Sequence, residues 1–157
     1  MRLLDLFCGA GGAAVGYHRA GFTEIIGVDI KFQKNYPFTF VQADAMTYPL
    51  DGFDAIHASP PCQAFSAANN IHQREDHPDL IAPIRARLVG RSEPWVIENV
   101  PRAPLERPFV LCGLTFRLGV KRHRLFESSV YMLAPPCGSH AGDWVCVFGH
   151  TVLERSP

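Results

Sequence analysis

The sequence predicts an α/β fold, a mainly parallel sheet with helices on both faces, and three observations carry that prediction. Short apolar runs alternate with helix-compatible stretches from Arg2 to Val100, the pattern of strand–helix–strand units. The conspicuous glycine, cysteine and acidic residues fall just after the predicted strands, along the sheet edge where such folds bind ligands. The 157 residues suffice for one sizeable hydrophobic core, so residues 1–157 are read as a single domain.

Arg2–Phe7 reads as a strand running into the cluster Gly9-Ala10-Gly11-Gly12. Ala13–Ala20 follows as a small-residue helix stopped by Gly21, a residue that readily adopts the left-handed helix terminus. Glu24–Ile30 and Thr39–Ala43 are the second and third strands, and Phe53–Ala58 the fourth, stopped by Ser59-Pro60-Pro61. Asp79–Val89 is amphipathic and helical, with Pro83 near its first turn, where a missing N–H costs little. Pro94–Val100 is the fifth strand and a neighbour of the fourth. Phe109–Cys112 and Leu125–Ser128 are the last strands, with Trp144–Phe148 a further one. Residues 129–157 read as an irregular tail punctuated by proline and glycine.

Hydrophobic residues make up 47% and charged residues 19%, an ordinary globular composition rather than a disordered one. Fifteen basic residues balance fifteen acidic ones, so any attraction to nucleic acid must come from a local cleft rather than the net charge. No apolar run approaches the roughly 20 residues that span a bilayer, and no membrane partner is expected. Asp5 interrupts the N-terminus too soon for a signal peptide. Five cysteines, an odd count, argue against a disulfide framework and for a reducing compartment such as the cytoplasm.

Gly9, Gly11 and Gly12 lie between a strand and a helix, where the lack of a Cβ lets a ligand approach the backbone. Asp29 follows about 20 residues on, the offset at which Rossmann-like folds set a carboxylate against ribose hydroxyls. Asp44 ends the third strand and would meet a base. The pattern is not GxGxxG and has no Walker lysine, so a nucleoside-containing cofactor other than a dinucleotide or a nucleoside triphosphate is expected.

Cys62 lies after the fourth strand, stiffened by Pro60 and Pro61. Glu98 ends the fifth strand between Ile97 and Asn99; partial burial there would raise its pKa and suit it to donate a proton. Cys8, Cys112 and Cys146 are read as small packing residues. In the tail, Cys137, His140 and Cys146 would begin a zinc site with His150 as fourth ligand, but the spacing is irregular. A Pro-rich connector is the default there, and no metal is expected.

Asp5-Leu6-Phe7-Cys8-Gly9-Ala10-Gly11-Gly12, Pro61-Cys62-Gln63, Glu98-Asn99-Val100 and Arg122-His123-Arg124 occur in the order and spacing of the C5-cytosine DNA methyltransferase motifs, and from Leu3 to Phe126 the chain resembles that family. The resemblance implies the Rossmann-like S-adenosylmethionine-dependent methyltransferase fold. Phe7 would stack on the adenine, Asp29 hold the ribose, Asp44 bind the adenine amino group, and Gly9 and Gly12 line the methionine end, with Gly11 and Pro61 also at the cofactor. Cys62 would add to cytosine C6 and Glu98 would hydrogen-bond N3. Arg122 and Arg124 would stabilise the thiolate and the developing charge. The base would be flipped out of the duplex into a site to which Gln63, Ser66, Arg74 and Asn99 contribute, with 66–78 as a closing loop.

The sequence departs from the family pattern in three ways. Asp29 stands where glutamate is usual, and Val120 where a glutamine usually opens the Arg-x-Arg motif. Few residues follow Phe126, too few for a target-recognition region and the C-terminal return helix. The chain is then a truncated domain with weak cofactor affinity, half of a split enzyme completed by a second chain, or an economical phage-type variant. Residues 129–157 would be a vestige of the recognition region. The expected function is methylation of cytosine C5 in DNA, as in restriction-modification. The alternatives are tRNA cytosine methylation, or a subunit that binds cofactor, DNA or a partner without turnover.

Overall fold

The computed structural model describes residues 1–65, 78–141, 144–148 and 151–154. Seven strands form one sheet: β1 (Arg2–Leu6), β2 (Glu24–Asp29), β3 (Thr39–Gln42), β4 (Ala55–Ala58), β5 (Trp95–Asn99), β6 (Phe109–Cys112) and β7 (His123–Ser128). Their order is β3-β2-β1-β4-β5-β7-β6. The first five pair in parallel, while β7 runs antiparallel to both β5 and β6. The order reverses between β1 and β4, so a crevice opens beyond the carboxyl ends of these two strands, where open α/β sheets bind ligands.

One described helix covers each face. Along β1 the side chains alternate: Leu4 and Leu6 join one buried cluster, and Leu3 joins the other. Helix α1 (Gly12–Arg19) packs Ala14 beside Leu3, Cys8, Ile25 and Tyr36. Helix α2 (Ile81–Leu88) buries Ile81, Ile84 and Leu88 with Leu4, Ile56 and Ile97, the i, i+3, i+7 spacing of an apolar stripe. Each fully buried Leu or Ile contributes roughly 1.5–3 kcal/mol of apolar burial.

Two α2 arginines lock it to its surroundings. Arg85 Nε and Nη2 donate to Glu127 Oε1 and Oε2 of β7, both at 2.7 Å. Arg87 donates to the carbonyls of Ala45 and Tyr48 on the β3–β4 connection, both at 2.6 Å. Among the described residues no helix is long and apolar enough to cross a membrane.

The strands lie where sequence placed them, most within a residue or two. The predicted helix over 79–89 is shorter because Asp79 Oδ1 accepts the Ile81 N–H at 2.8 Å, ahead of the helical run. Phe53 precedes β4 rather than joining it, although its side chain is buried. The segment expected as a further strand at 144–148 is β8 (Val145–Phe148). It does not extend the main sheet but pairs antiparallel with an unanticipated β9 (Thr151–Glu154).

Candidate active site

The chain turns sharply at the end of β1. Phe7 has φ 56° and Gly9 φ 48°; the left-handed backbone is strained for phenylalanine and free for glycine. Asp29, at the end of β2, fastens this turn. Its Oδ2 accepts the Gly9 N–H at 3.0 Å and its Oδ1 the Lys31 N–H at 2.9 Å. Each carboxylate oxygen keeps a second lone pair for a ligand hydroxyl. Asp44 is exposed, and its Oδ1 accepts the Met46 N–H at 2.8 Å, turning the chain beyond β3.

The three glycines separate into two roles. A Cβ at Gly9 or Gly12 would meet nothing within 4 Å, so space for a ligand remains beside the backbone. Gly11 caps α1 with φ 87°, and a Cβ there would stand 2.6 Å from Pro37 Cδ and 3.0 Å from the Tyr36 ring, so close packing against the β2–β3 connection requires glycine at this position.

On the other side of the switch point, the Ser59–Cys62 segment is anchored from two strands. The Ser59 N–H donates to the Leu6 carbonyl of β1 at 3.1 Å. Asn99 Nδ2, from β5, donates to the Pro60 carbonyl at 2.9 Å, and Asn99 Oδ1 accepts the Val100 N–H at 2.9 Å. Asn99 is 1% exposed. With both ends of its amide engaged inside the protein, it ties the end of β5 to the cysteine loop. Cys62 is a half-buried free thiol beside Pro61, and its carbonyl accepts the Phe65 N–H at 3.0 Å. Gln63 is exposed at the same edge. Ser66, Arg74 and the predicted closing loop lie outside the described residues, apart from Pro78.

Glu98 faces this edge from β5. Arg124 Nε, on β7, pairs with Glu98 Oε1 at 2.7 Å. Burial pushes the Glu98 carboxyl above its usual range, while Arg124, Arg122 and a hydrogen bond from Ser59 pull it back. The structure thus brings Glu98, Arg122 and Arg124 together electrostatically, with Ser59 reaching in from the cysteine loop.

Sequence reasoning missed two groups. His57, wholly buried on β4, contacts Tyr17 Oη through Nδ1 at 3.0 Å and Ser59 Oγ through Nε2 at 2.7 Å. Ser59 in turn meets Glu98, so a polar chain runs from α1 through β4 to the carboxyl of β5. The available signal was a histidine inside an apolar strand, two residues before a serine. Asp5 is the second: 1% exposed, it accepts the Tyr36 hydroxyl at 3.0 Å and is raised to about 7, chiefly by burial. Cys8 is pushed up to about 12 by burial and then by Asp5 and Asp29, which makes it an inert thiol at neutral pH.

The sheet order and the crevice at its switch point define the S-adenosylmethionine-dependent methyltransferase class of α/β folds. Solved structures agree on the fold. An E. coli protein encoded within a prophage, described as a DNA modification methyltransferase, superposes with a TM-score of 0.62 at 21% identity, over 80% of this chain and 45% of its own. The Dnmt2 methyltransferase of S. pombe gives 0.58 at 17% identity, over 82% and 48%. The Type II methyltransferase M1.HphI of Haemophilus parahaemolyticus is 32% identical over 119 residues, 63% of this chain and 32% of the relative. The family defined as C-5 cytosine-specific DNA methylase matches residues 1–105, and the chain belongs to that family. It spans about a third of the length of the curated relatives it matches first.

Proposed function

We propose that this chain is the cofactor-binding and catalytic portion of a cytosine-C5 DNA methyltransferase acting in the cytoplasm of a prokaryote or a viral host. The observation that carries the reading is the half-buried Glu98 carboxyl, raised by burial yet paired with Arg124, at the sheet edge where Asn99 and Ser59 hold the Cys62 loop. A carboxyl whose neutral form is favoured by burial is suited to hydrogen-bond a ring nitrogen.

The residues present fit S-adenosylmethionine. Gly9 and Gly12 leave the backbone open, Asp29 is oriented by two N–H groups with lone pairs to spare, and exposed Asp44 stands beyond β3. Phe7 would lie against the adenine, and Pro61 would border the same pocket. Bound there, the cofactor supplies an electrophilic methyl group.

The chain's own residues do the rest. Cys62 thiolate adds to C6 of a cytosine flipped from the duplex, forming an S–C6 bond and sending the ring's electron pair toward C5. Glu98 holds N3 through a hydrogen bond as charge develops, with Arg122 and Arg124 lowering the cost of that charge. After C5 is methylated, loss of its proton to a base restores the C5–C6 double bond and expels Cys62. Gln63, Ser66 and Arg74 would hold the nucleotide. Target choice would reside in sequence beyond these 157 residues, continuous with them or on a second chain.

Trapping tests the proposal. DNA containing 5-fluorocytosine, incubated with the chain and S-adenosylmethionine, should yield a denaturation-resistant adduct, because fluorine cannot leave as the proton does. Cys62→Ser should abolish it. An adduct on tRNA alone would move the substrate to RNA, and none on either, with cofactor binding intact, would remove the catalytic reading.

A further inference from the structure

Cys112 ends β6 and His123 begins β7, and the antiparallel register makes them direct cross-strand partners. The ten residues between them form the β6–β7 connection, so residues distant in sequence meet at one corner of the sheet. After β7 the chain returns to the same corner and adds Cys137 and His140. His123 Nε2 lies 3.2 Å from Cys137 Sγ, which lies 3.0 Å from His140 Nε2. Cys112 Sγ is 3.7 Å from His140 Nε2, and all four donor atoms fall within 4.8 Å of one another. Two thiols and two imidazoles converging at these distances have the donor set and size of a tetrahedral zinc centre. Zn–S bonds of about 2.3 Å and Zn–N bonds of about 2.0–2.1 Å put neighbouring ligand atoms roughly 3.3–3.8 Å apart.

Hydrogen bonding among the side chains is a poorer account of the cluster. Whichever nitrogen carries a proton, hydrogen bonds would join the groups only in pairs about Cys137 Sγ, at 3.2 and 3.0 Å, whereas one cation satisfies all four. The surroundings also suit a fixed site. The Thr115 N–H donates to the Cys112 carbonyl at 3.1 Å and the Gly113 N–H to the Arg122 carbonyl at 3.0 Å, fixing the turn that carries the Cys112 sulfur. The Trp144 indole N–H donates to the His140 carbonyl at 3.0 Å, with Lys121 Nζ 4.5 Å from the centre of the Trp144 ring. Lys121 N–H donates to the Val145 carbonyl, and Val145 N–H to the Gly119 carbonyl, both at 2.9 Å. The returning segment is therefore laced to the β6–β7 connection at several points.

We infer that Cys112, His123, Cys137 and His140 form a structural zinc site that pins the segment after β7 to the ends of β6 and β7. Two thiolates and two imidazoles complete the tetrahedron with no position left for water, as structural rather than catalytic zinc requires. Thiolate and imidazole donors together favour zinc over magnesium or calcium. On this inference buried Cys112 would serve as a ligand as well as a packing residue, and the chain would hold a metal where the sequence reading expected none. The site also replaces the foursome drawn from the tail, since Cys112 and His123 stand in for Cys146 and His150. His123 separates Arg122 from Arg124, and successive strand residues point to opposite faces. The metal would thus brace β7 on the face opposite the Arg124–Glu98 pair.

Metal content and cobalt spectroscopy test the site without reference to catalysis. The full chain, purified in reductant and without a metal-affinity tag, should carry one zinc per molecule. Stripped and refilled with cobalt(II), it should show the intense visible bands of a tetrahedral ion together with sulfur-to-metal charge transfer. Cys112→Ser and Cys137→Ser should lose the metal, Cys62→Ser should retain a full equivalent, and chelation should lower the unfolding temperature. His140→Cys keeps four ligands, so it should bind cobalt with a stronger charge-transfer band even if the serine variants fold poorly. Zinc at background level in the native chain, with no tetrahedral cobalt spectrum on reconstitution, would overturn the inference. So would a cobalt spectrum unchanged in Cys112→Ser, Cys137→Ser and His140→Cys.

Discussion

Asp5 on β1 and His57 on β4 are register partners in the parallel sheet, and burial disfavours the charged form of each. Asp5 is raised from 3.8 to about 7, by burial first and then by Asp29, against a lowering hydrogen bond from Tyr36. His57 is lowered from 6.5 to about 4 by burial alone. Their effects on stability have opposite signs. The raised carboxyl stabilises fully below pH 3.8 and loses that contribution as pH rises through about 7. The lowered imidazole contributes fully above pH 6.5 and loses it as pH falls through about 4. Between about pH 4 and 6.5 the two slopes cancel. Chemical denaturation of Asp5→Asn should therefore show stability rising with pH across that window, and His57→Gln should show it falling, each by up to roughly 3–4 kcal/mol. Two profiles as flat as the parent's would refute the assignment.

The Glu98–Arg124 pair makes a second prediction. Burial raises the Glu98 carboxyl and Arg124 is the largest influence opposing it, so Arg124→Ala should move its titration to higher pH. Carboxyl carbon NMR of the free chain reads that shift directly. Adduct formation on 5-fluorocytosine DNA should slow by about 10²–10³-fold, the usual cost of removing one preorganised charge-stabilising donor. A Glu98 titration that stays put or moves down would contradict the geometry.

Arg85 and Glu127 form an ion pair joining α2 to β7, with side-chain exposures of 13% and 6%. Glu127 Oε2 also accepts the Glu106 N–H at 2.8 Å, so removing the carboxylate orphans a backbone donor and leaves Arg85 only the Pro104 carbonyl and a 3.7 Å contact with Glu106. Glu127→Ala should cost about 3–5 kcal/mol, the loss expected when one partner of a buried pair is deleted. Urea unfolding at neutral pH checks it, and a loss below about 1 kcal/mol would place the pair among ordinary surface contacts.

The parallel half of the sheet was legible because each buried strand is a short apolar run bounded by glycine or proline. Cys62 and Glu98 stood out as candidates for a related reason, since each follows or ends such a run, whereas Arg124, ahead of Leu125 in β7, was singled out only by the motif order. Gly11 and Asn99 were singled out in the sequence, but their packing and hydrogen-bond partners were not. Packing against Tyr36 and Pro37, and a hydrogen bond to Pro60, depend on segments brought together only by the sheet order. The same holds for Cys112 and His123, whose meeting is set by a hairpin register that no local spacing encodes. Beyond β7 the sequence lacks a sustained period, and β9 went unseen.

Asn99 separates positioning from folding most cleanly. Its Nδ2 holds the Pro60 carbonyl two residues before Cys62, the proposed nucleophile, while the glycine turn and Asp29 lie on the far side of the switch point. Asn99→Ala leaves the Pro60 carbonyl and the Val100 N–H without their partner, at a stability cost of about 1–3 kcal/mol. Because Cys62 is then free to drift from its approach line, adduct formation should fall by at least about 10²-fold. S-adenosylmethionine affinity should change little, since neither Asp29 nor Gly9 is touched. Asn99→Asp keeps the acceptor for Val100 but buries an ionisable carboxyl against the Pro60 carbonyl, so it should recover neither stability nor rate at neutral pH. Titration calorimetry and adduct kinetics on the same preparations decide the matter. A rate loss matched by an equal loss of cofactor affinity would mean that Asn99 supports the whole crevice rather than the cysteine loop.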